Sequence, residues 1–200
     1  CIVISLLLAS TAGAQSIKDS SKDKTLDSFK AALGQYRAGK YAEAIPALEG
    51  LLKDAGPLEE YVRFYLAESY MKTQKTDEAE KELKKILDLS PHVKMSIEAS
   101  NLLGQVALEK KNYKQALSHF RKLEKRTRNT EDYPEVIYNL ALAEKGLGHH
   151  AGKCKWVGKL YERYPNFAKV SNWGVDLATN EFDGKPTDCT ATTEDFRTRI

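Results

Sequence analysis

At 200 residues, with 42% hydrophobic and 30% charged side chains, the chain has the composition of a soluble helical protein with a real core. Its 31 basic and 28 acidic residues are mixed along the sequence and leave a net charge of +3, which excludes a strong general attraction to nucleic acid or to an anionic membrane. Residues 1–14 read differently from the rest. CIVISLLL is apolar apart from Ser5, and Ala12-Gly13-Ala14 forms a small-x-small cleavage signal before Gln15. This is the hydrophobic and cleavage region of a secretory signal peptide, too short to span a bilayer. Its charged start and initiator Met are missing, so the sequence is expected to be truncated there. A buried helix is the competing reading of the same run. Residues 15–25 are polar and lysine-rich, a flexible lead-in.

Helical spacing then begins. Leu26, Phe29 and Leu33 mark a helix over 26–38 that stops at Gly39. Its partner, 41–53, turns Ala44, Leu48 and Leu51 inward, with Pro46 in its first turns, where a missing N–H is tolerated. Gly56-Pro57 closes this first unit. A second pair is predicted over 58–71 and 76–89, and Thr76-Asp77-Glu78 gives its second helix an acidic first turn. A third covers 93–110 and 113–126, and a fourth 134–147 and 152–164. Beyond these, 167–179 reads as one more helix and 181–191 as a loop containing Gly184, Pro186 and Cys189. Thr192-Thr-Glu-Asp195 opens a helix that runs off the end at Ile200, so further chain is expected to follow.

The pairs recur at a step of 35 to 37 residues. Gly39, Gln74 and Lys111 are each followed five positions later by alanine, at Ala44, Ala79 and Ala116, and Gly148 opens a fourth such turn. A fixed period in this range is the mark of stacked helical repeats, whose units cannot bury their apolar faces alone. The pattern resembles the tetratricopeptide repeat. Leu66-Ala67, Tyr70, Ala79, Leu83 and Pro91 carry the likeness in the second unit, and Leu103-Gly104, Ala116 and Phe120 in the third. Leu140-Ala141, Leu160 and Pro165 carry it in the fourth, and Gly39, Ala44 and Leu48 in the first. The tryptophan typical of the family's first helix is replaced by Ser28, Arg63, Ser100 and Ile137. Lys153 stands where the fourth alanine belongs, so either Cys154 takes that place after a longer turn or the packing there is atypical.

The resemblance implies an all-α fold, with tandem antiparallel helix pairs over 26–165 stacked into a right-handed superhelix. In the family, the first helix of each pair lines a concave face that binds a protein or peptide partner. Projected onto this sequence, that face carries Tyr61, Phe64, Tyr65 and Glu68, then Asn101 and Gln105, then Tyr138, Asn139 and Leu142. Aromatic residues beside amides and one carboxylate suit an extended peptide or a partner helix. Phe64 and Leu142 are equally readable as core. The lysine–asparagine clamp some members use for a terminal carboxylate is absent, since Phe64 and Glu68 hold its first two places.

No catalytic constellation, cofactor site or phosphate-binding loop is legible. Glu68-Ser69 is similar to the catalytic pair of soluble lytic transglycosylases but lacks the Gly-Leu-Met-Gln stretch that follows it there. His149, His150, Cys154 and Cys189 are a conceivable zinc set. Export instead favours one disulfide between Cys154 and Cys189, closing a loop of about 35 residues and contributing roughly 4 kcal/mol; two free thiols are the alternative. Arg121, Lys122, Lys125, Arg126 and Arg128 read as a solvated helix end rather than a nucleic-acid site. The expectation is an exported, periplasmic scaffold of the bacterial envelope that binds a protein or peptide without catalysis, metal or cofactor. The competing expectation is the non-catalytic helical arm of a larger periplasmic enzyme such as a soluble lytic transglycosylase.

Overall fold

One turn, used four times, sets the architecture. At Gly39, Gln74, Lys111 and Gly148 the backbone is left-handed, with φ of 75°, 62°, 57° and 71°. Each of these N–H groups donates to the carbonyl three residues back, and the next N–H reaches five back. The longer bonds are Lys40 to Gln35 at 3.0 Å, Lys75 to Tyr70 at 2.8 Å, Asn112 to Ala107 at 2.8 Å and His149 to Glu144 at 2.9 Å. These are Schellman closures, which occupy carbonyls that a helix C-terminus leaves unpaired. The residue after the left-handed one then caps the following helix. Its carbonyl accepts from Ala44, Ala79 and Ala116 at 3.0 Å and from Lys153 at 2.9 Å. A helix ends and its partner starts within three residues, at 38–40, 73–75, 110–112 and 147–149.

The computed structural model describes residues 24–89, 92–164 and 189. The expected signal peptide, most of the lead-in, Pro91 and Pro165 lie outside those residues, as do the expected helices over 167–179 and from Thr192. Eight α-helices and one 3-10 turn are described, with no strand among the described residues: α1 (24–37), α2 (Tyr41–Leu51), the 3-10 turn (Gly56–Leu58), α3 (Glu59–Lys72), α4 (Thr76–Asp88), α5 (Val93–Glu109), α6 (Tyr113–Thr127), α7 (Tyr133–Gly146) and α8 (His150–Arg163). Helix α1 already includes Lys24 and Thr25 of the expected lead-in. Pro46 is exposed as the sixth residue of α2, in its second turn, and the helix continues through it. None of the described helices is long and apolar enough to cross a membrane.

The chain divides into two compact units, Cys1–Lys85 and Ile86–Ile200. In the first, Ala44, Leu48, Val62, Ala67, Ala79 and Leu83 are fully buried. Burying each leucine or valine contributes about 1.5–3 kcal/mol, and the alanines let the helix backbones approach. Arg63, in a place the family gives to tryptophan, ties α3 to α4: it donates to Glu59 at 2.6 Å and 2.9 Å, and to Glu82. In the second unit, Ala116, Phe120, Val136 and Leu140 form one core cluster, and Tyr133, Ile137 and Leu160 form another. Gly104 is there because the ring of Phe120 is: a Cβ on Gly104 would come within 2.4 Å of it. Ile137, another stand-in for tryptophan, is fully buried, and the Ser100 hydroxyl donates to the Ser96 carbonyl at 2.6 Å.

The fourth turn keeps the regular length, so Lys153, and not Cys154, takes the alanine place. Lys153 is 2% exposed, and burial, with Lys145 nearby, lowers its pKa. The Cβ-plus-stem of a lysine at this crossing is the atypical packing of the fourth pair.

Candidate functional site

On the first helices of the first unit, aromatic residues gather around Tyr65. Its ring centroid lies 5.0 Å from Tyr36, 5.6 Å from Phe64 and 6.1 Å from Phe29, all at tilted or edge-on angles that aromatic pairs favour. The Tyr36 hydroxyl donates to Glu68 Oε2 at 2.8 Å, and burial together with that carboxylate raises the phenol's pKa. Glu68, Phe64 and Tyr65 are half-buried, whereas Tyr61 stands 39% exposed at the edge of the group. Ser69 is fully buried and donates to the Tyr65 carbonyl at 2.7 Å, so the Glu68-Ser69 pair packs within the helix array. Tyr36 was not among the residues projected. Its signal was its seven-residue spacing from Phe29, which puts both on one face of α1.

The first helices of the second unit carry a polar ladder instead. Asn101 Nδ2 and Gln105 Nε2 both donate to Glu135 Oε1, at 2.9 Å and 2.8 Å, and Asn139 Nδ2 donates to Asn101 Oδ1 at 3.4 Å. Glu135 is the member the projection omitted, although it precedes Tyr138 and Asn139 by one helical turn. Asn139 was projected as a surface residue but is only 5% exposed, so it braces α5 against α7 from within. Tyr138 and Leu142 are half-buried and pack against Ala141 and Val157. The accessible part of this face is therefore Asn101, Gln105 and Glu135, with the rims of Tyr138 and Leu142.

Two buried carboxylates, Glu124 on α6 and Glu144 on α7, tie α6, α7 and α8 together. Glu124, 7% exposed, accepts from the Tyr133 hydroxyl at 2.8 Å and from Lys159 and Arg128, each at 3.1 Å. Burial alone would push this carboxyl up, but the three donors outweigh it and hold the group down at about 2. Glu144, 4% exposed, meets Arg121 at 3.1 Å and His149 Nδ1 at 2.8 Å. Gly152 sits under it, where a Cβ would approach the carboxyl carbon to 2.8 Å. His149 of the conceivable zinc set is thus engaged with Glu144, and among the described residues no three His, Cys, Asp or Glu converge as a metal site. Cys154 and Cys189 lie at bonding distance of one another, with Cα atoms 5.4 Å apart and Cys189 1% exposed.

Tandem antiparallel helix pairs, joined by one repeated turn and closed on small residues at the helix crossings, define a helical-repeat protein of the α-solenoid class. Tetratricopeptide-repeat models match residues 29–93 and 97–130. The chain belongs to the tetratricopeptide-repeat family. Among solved structures it resembles MamA from Desulfovibrio magneticus RS-1, at 19% identity and a TM-score of 0.69, covering 88% of this chain and 93% of that one. A MamA of AMB-1 aligns at 19% identity and a TM-score of 0.63, covering 88% and 92%. A Podosopora anserina protein with nearly identical TPR-like repeats aligns at 13% and 0.65, covering 88% and 93%. Likeness at these identities speaks for the fold alone. No curated protein sequence matches the chain.

Proposed function

We propose that the protein is a non-catalytic scaffold that binds a protein or peptide partner on the faces of its first helices, in the periplasm of a bacterial envelope. The observation that carries this reading is the chemistry of those faces. One presents Tyr61 and the aromatic group around Tyr65 beside Glu68; the other presents the Asn101–Gln105–Glu135 ladder. An exposed aromatic edge supplies desolvation energy. Amides and carboxylates already held by one another can offer their remaining lone pairs and N–H groups to a peptide backbone at little ordering cost.

The experiment is capture from envelope extract with the full chain as bait, beside Tyr61→Ala and Gln105→Ala, with circular dichroism confirming that both variants fold. A discrete protein retained by the parent and lost from both variants is the expected result. Capture that neither variant alters would overturn the binding faces and move the choice to a helical arm of a larger enzyme.

Export is part of the same proposal, supported by residues 1–14 and by the pairing of Cys154 with Cys189 as a disulfide. Purified from an oxidising compartment, the protein should resist alkylation at both cysteines until reduced. Two alkylated thiols in the unreduced protein, read by peptide mass, would exclude the bond.

A further inference from the structure

A second surface lies on the other helices of the fourth and third pairs, away from the faces just described. Between α6 and α8 runs a cleft of about 600 Å³ lined by Lys114, Arg121, Lys122, Lys125, Lys155 and Trp156. The α6 residues fall at helical spacing, 114, 121/122 and 125, so they form a stripe along one side. All five cations are exposed. Lys114, Lys122 and Lys125 make no ion pair among the described residues. Lys155 only leans over the Trp156 ring, 5.5 Å from its centroid, and Arg121 reaches Glu144 while staying 61% exposed.

The one carboxylate that lines the cleft does not cancel this charge. Glu124 is buried, with Oε1 taken by Tyr133 and Lys159 and Oε2 by Arg128. Lys114, Lys122, Lys125 and Lys155 therefore face solvent without an ion pair among the described residues, and Arg121 adds a guanidinium shared with Glu144, in a protein whose whole net charge is only +3. A concave wall lined by one sign of charge focuses the field and selects the opposite sign.

We infer that the α6–α8 cleft is a recognition site for an extended acidic peptide segment. The twelve-residue stripe from Lys114 to Lys125 is roughly 16 Å long, at about 1.5 Å per residue of helix. An extended peptide advances about 3.3 Å per residue, so roughly five residues span it. Carboxylates of the segment then meet Lys114 at one end of the stripe and Arg121, Lys122 and Lys125 at the other, and an apolar side chain of the segment lies against Trp156. A nucleic acid fits less well. Reading bases needs an open aromatic face for stacking, but Lys155 and Lys159 stand 5.5 Å and 5.2 Å over the Trp156 ring, whose remainder packs into the core.

The test is fluorescence anisotropy of labelled hexaglutamate titrated with the full chain, against hexathymidylate and vesicles containing phosphatidylglycerol. Lys122→Glu/Lys155→Glu removes charge from the cleft, and Lys53→Glu/Lys72→Glu makes the same change in net charge at exposed positions elsewhere. None of these four side chains holds the fold by an ion pair, and thermal unfolding checks that each variant remains native. The expected result is salt-sensitive binding of hexaglutamate, weakened about tenfold or more in the cleft variant and within about twofold of the parent in the control. Equal weakening in both variants, no binding by the parent, or tighter binding of hexathymidylate or vesicles would overturn the assignment.

Discussion

Gln74 and Lys111 hold left-handed backbone with full side chains, at a cost of about 1–2 kcal/mol each relative to a residue without Cβ. Gly39 and Gly148 meet the same geometry freely. Gln74→Gly and Lys111→Gly should therefore each stabilise the protein by about 0.5–1 kcal/mol in urea unfolding, after the extra freedom of glycine in the unfolded chain is set against the relieved strain. Gly148→Ala should destabilise by a similar amount. Gly104→Ala acts by overpacking instead: its Cβ meets the Phe120 ring at 2.4 Å, and the expected loss is about 1–3 kcal/mol, partly restored by Phe120→Leu. Glu124 supplies the pH dependence. Its folded pKa, about 2, lies below the ordinary carboxylate value, so its contribution is complete above the unfolded pKa and fades as pH falls from about 4.5 towards 2. Over that window the parent should lose on the order of 2 kcal/mol more than Glu124→Gln, compared by chemical unfolding at each pH. The two glycine turns were legible from residue type. Gln74 and Lys111 were legible only from their spacing to the following alanine, because nothing in a glutamine or a lysine announces positive φ.

Between helices, apolar spacing and small residues told most of the story, and the polar ties did not. The helices begin and end within two residues of where Leu26, Phe29, Ala44 and their counterparts placed them, because a core-facing stripe repeats at the period of the helix itself. Arg63 was visible only as a missing tryptophan. Its role depends on Glu82, nineteen residues away, and a spacing rule within one helix cannot reach that far. Arg63→Ala leaves Glu82 buried with only Lys85 at 2.8 Å, and should destabilise by about 2–3 kcal/mol. A double-mutant cycle with Glu82→Gln, followed by urea unfolding, should return a coupling of about 1–3 kcal/mol; additive losses would mean that the pair stabilises nothing jointly. The candidate faces show the same division. Tyr61, Tyr65 and Glu68 followed from projection along α3, but the Glu135 bridge that locks Asn101 to Gln105 joins two helices. Asn101 in turn accepts from Asn139, which lies in the interior and not on the surface.

For the molecule as a whole, balanced charge concealed a local imbalance. Arg121, Lys122 and Lys125 read as a solvated helix end because a helix C-terminus favours cations, and only folding turns the neighbouring Glu124 carboxylate inward onto Tyr133, Lys159 and Arg128. Fold class was therefore readable from residue order, while the distribution of free charge was not. The repeated turn also governs where this chain can change length. Within a pair the connection is always three residues, every one engaged in closing one helix or opening the next, whereas the connections between pairs, 52–58, 89–92 and 128–132, differ in length. One residue added within a pair would rotate the second helix by about 100° and carry its apolar stripe out of the core. Duplication of whole pairs and insertion at the junctions between them are the length changes this architecture can absorb, so a reporter domain or a lineage-specific extension belongs at 128–132 and never at 110–112.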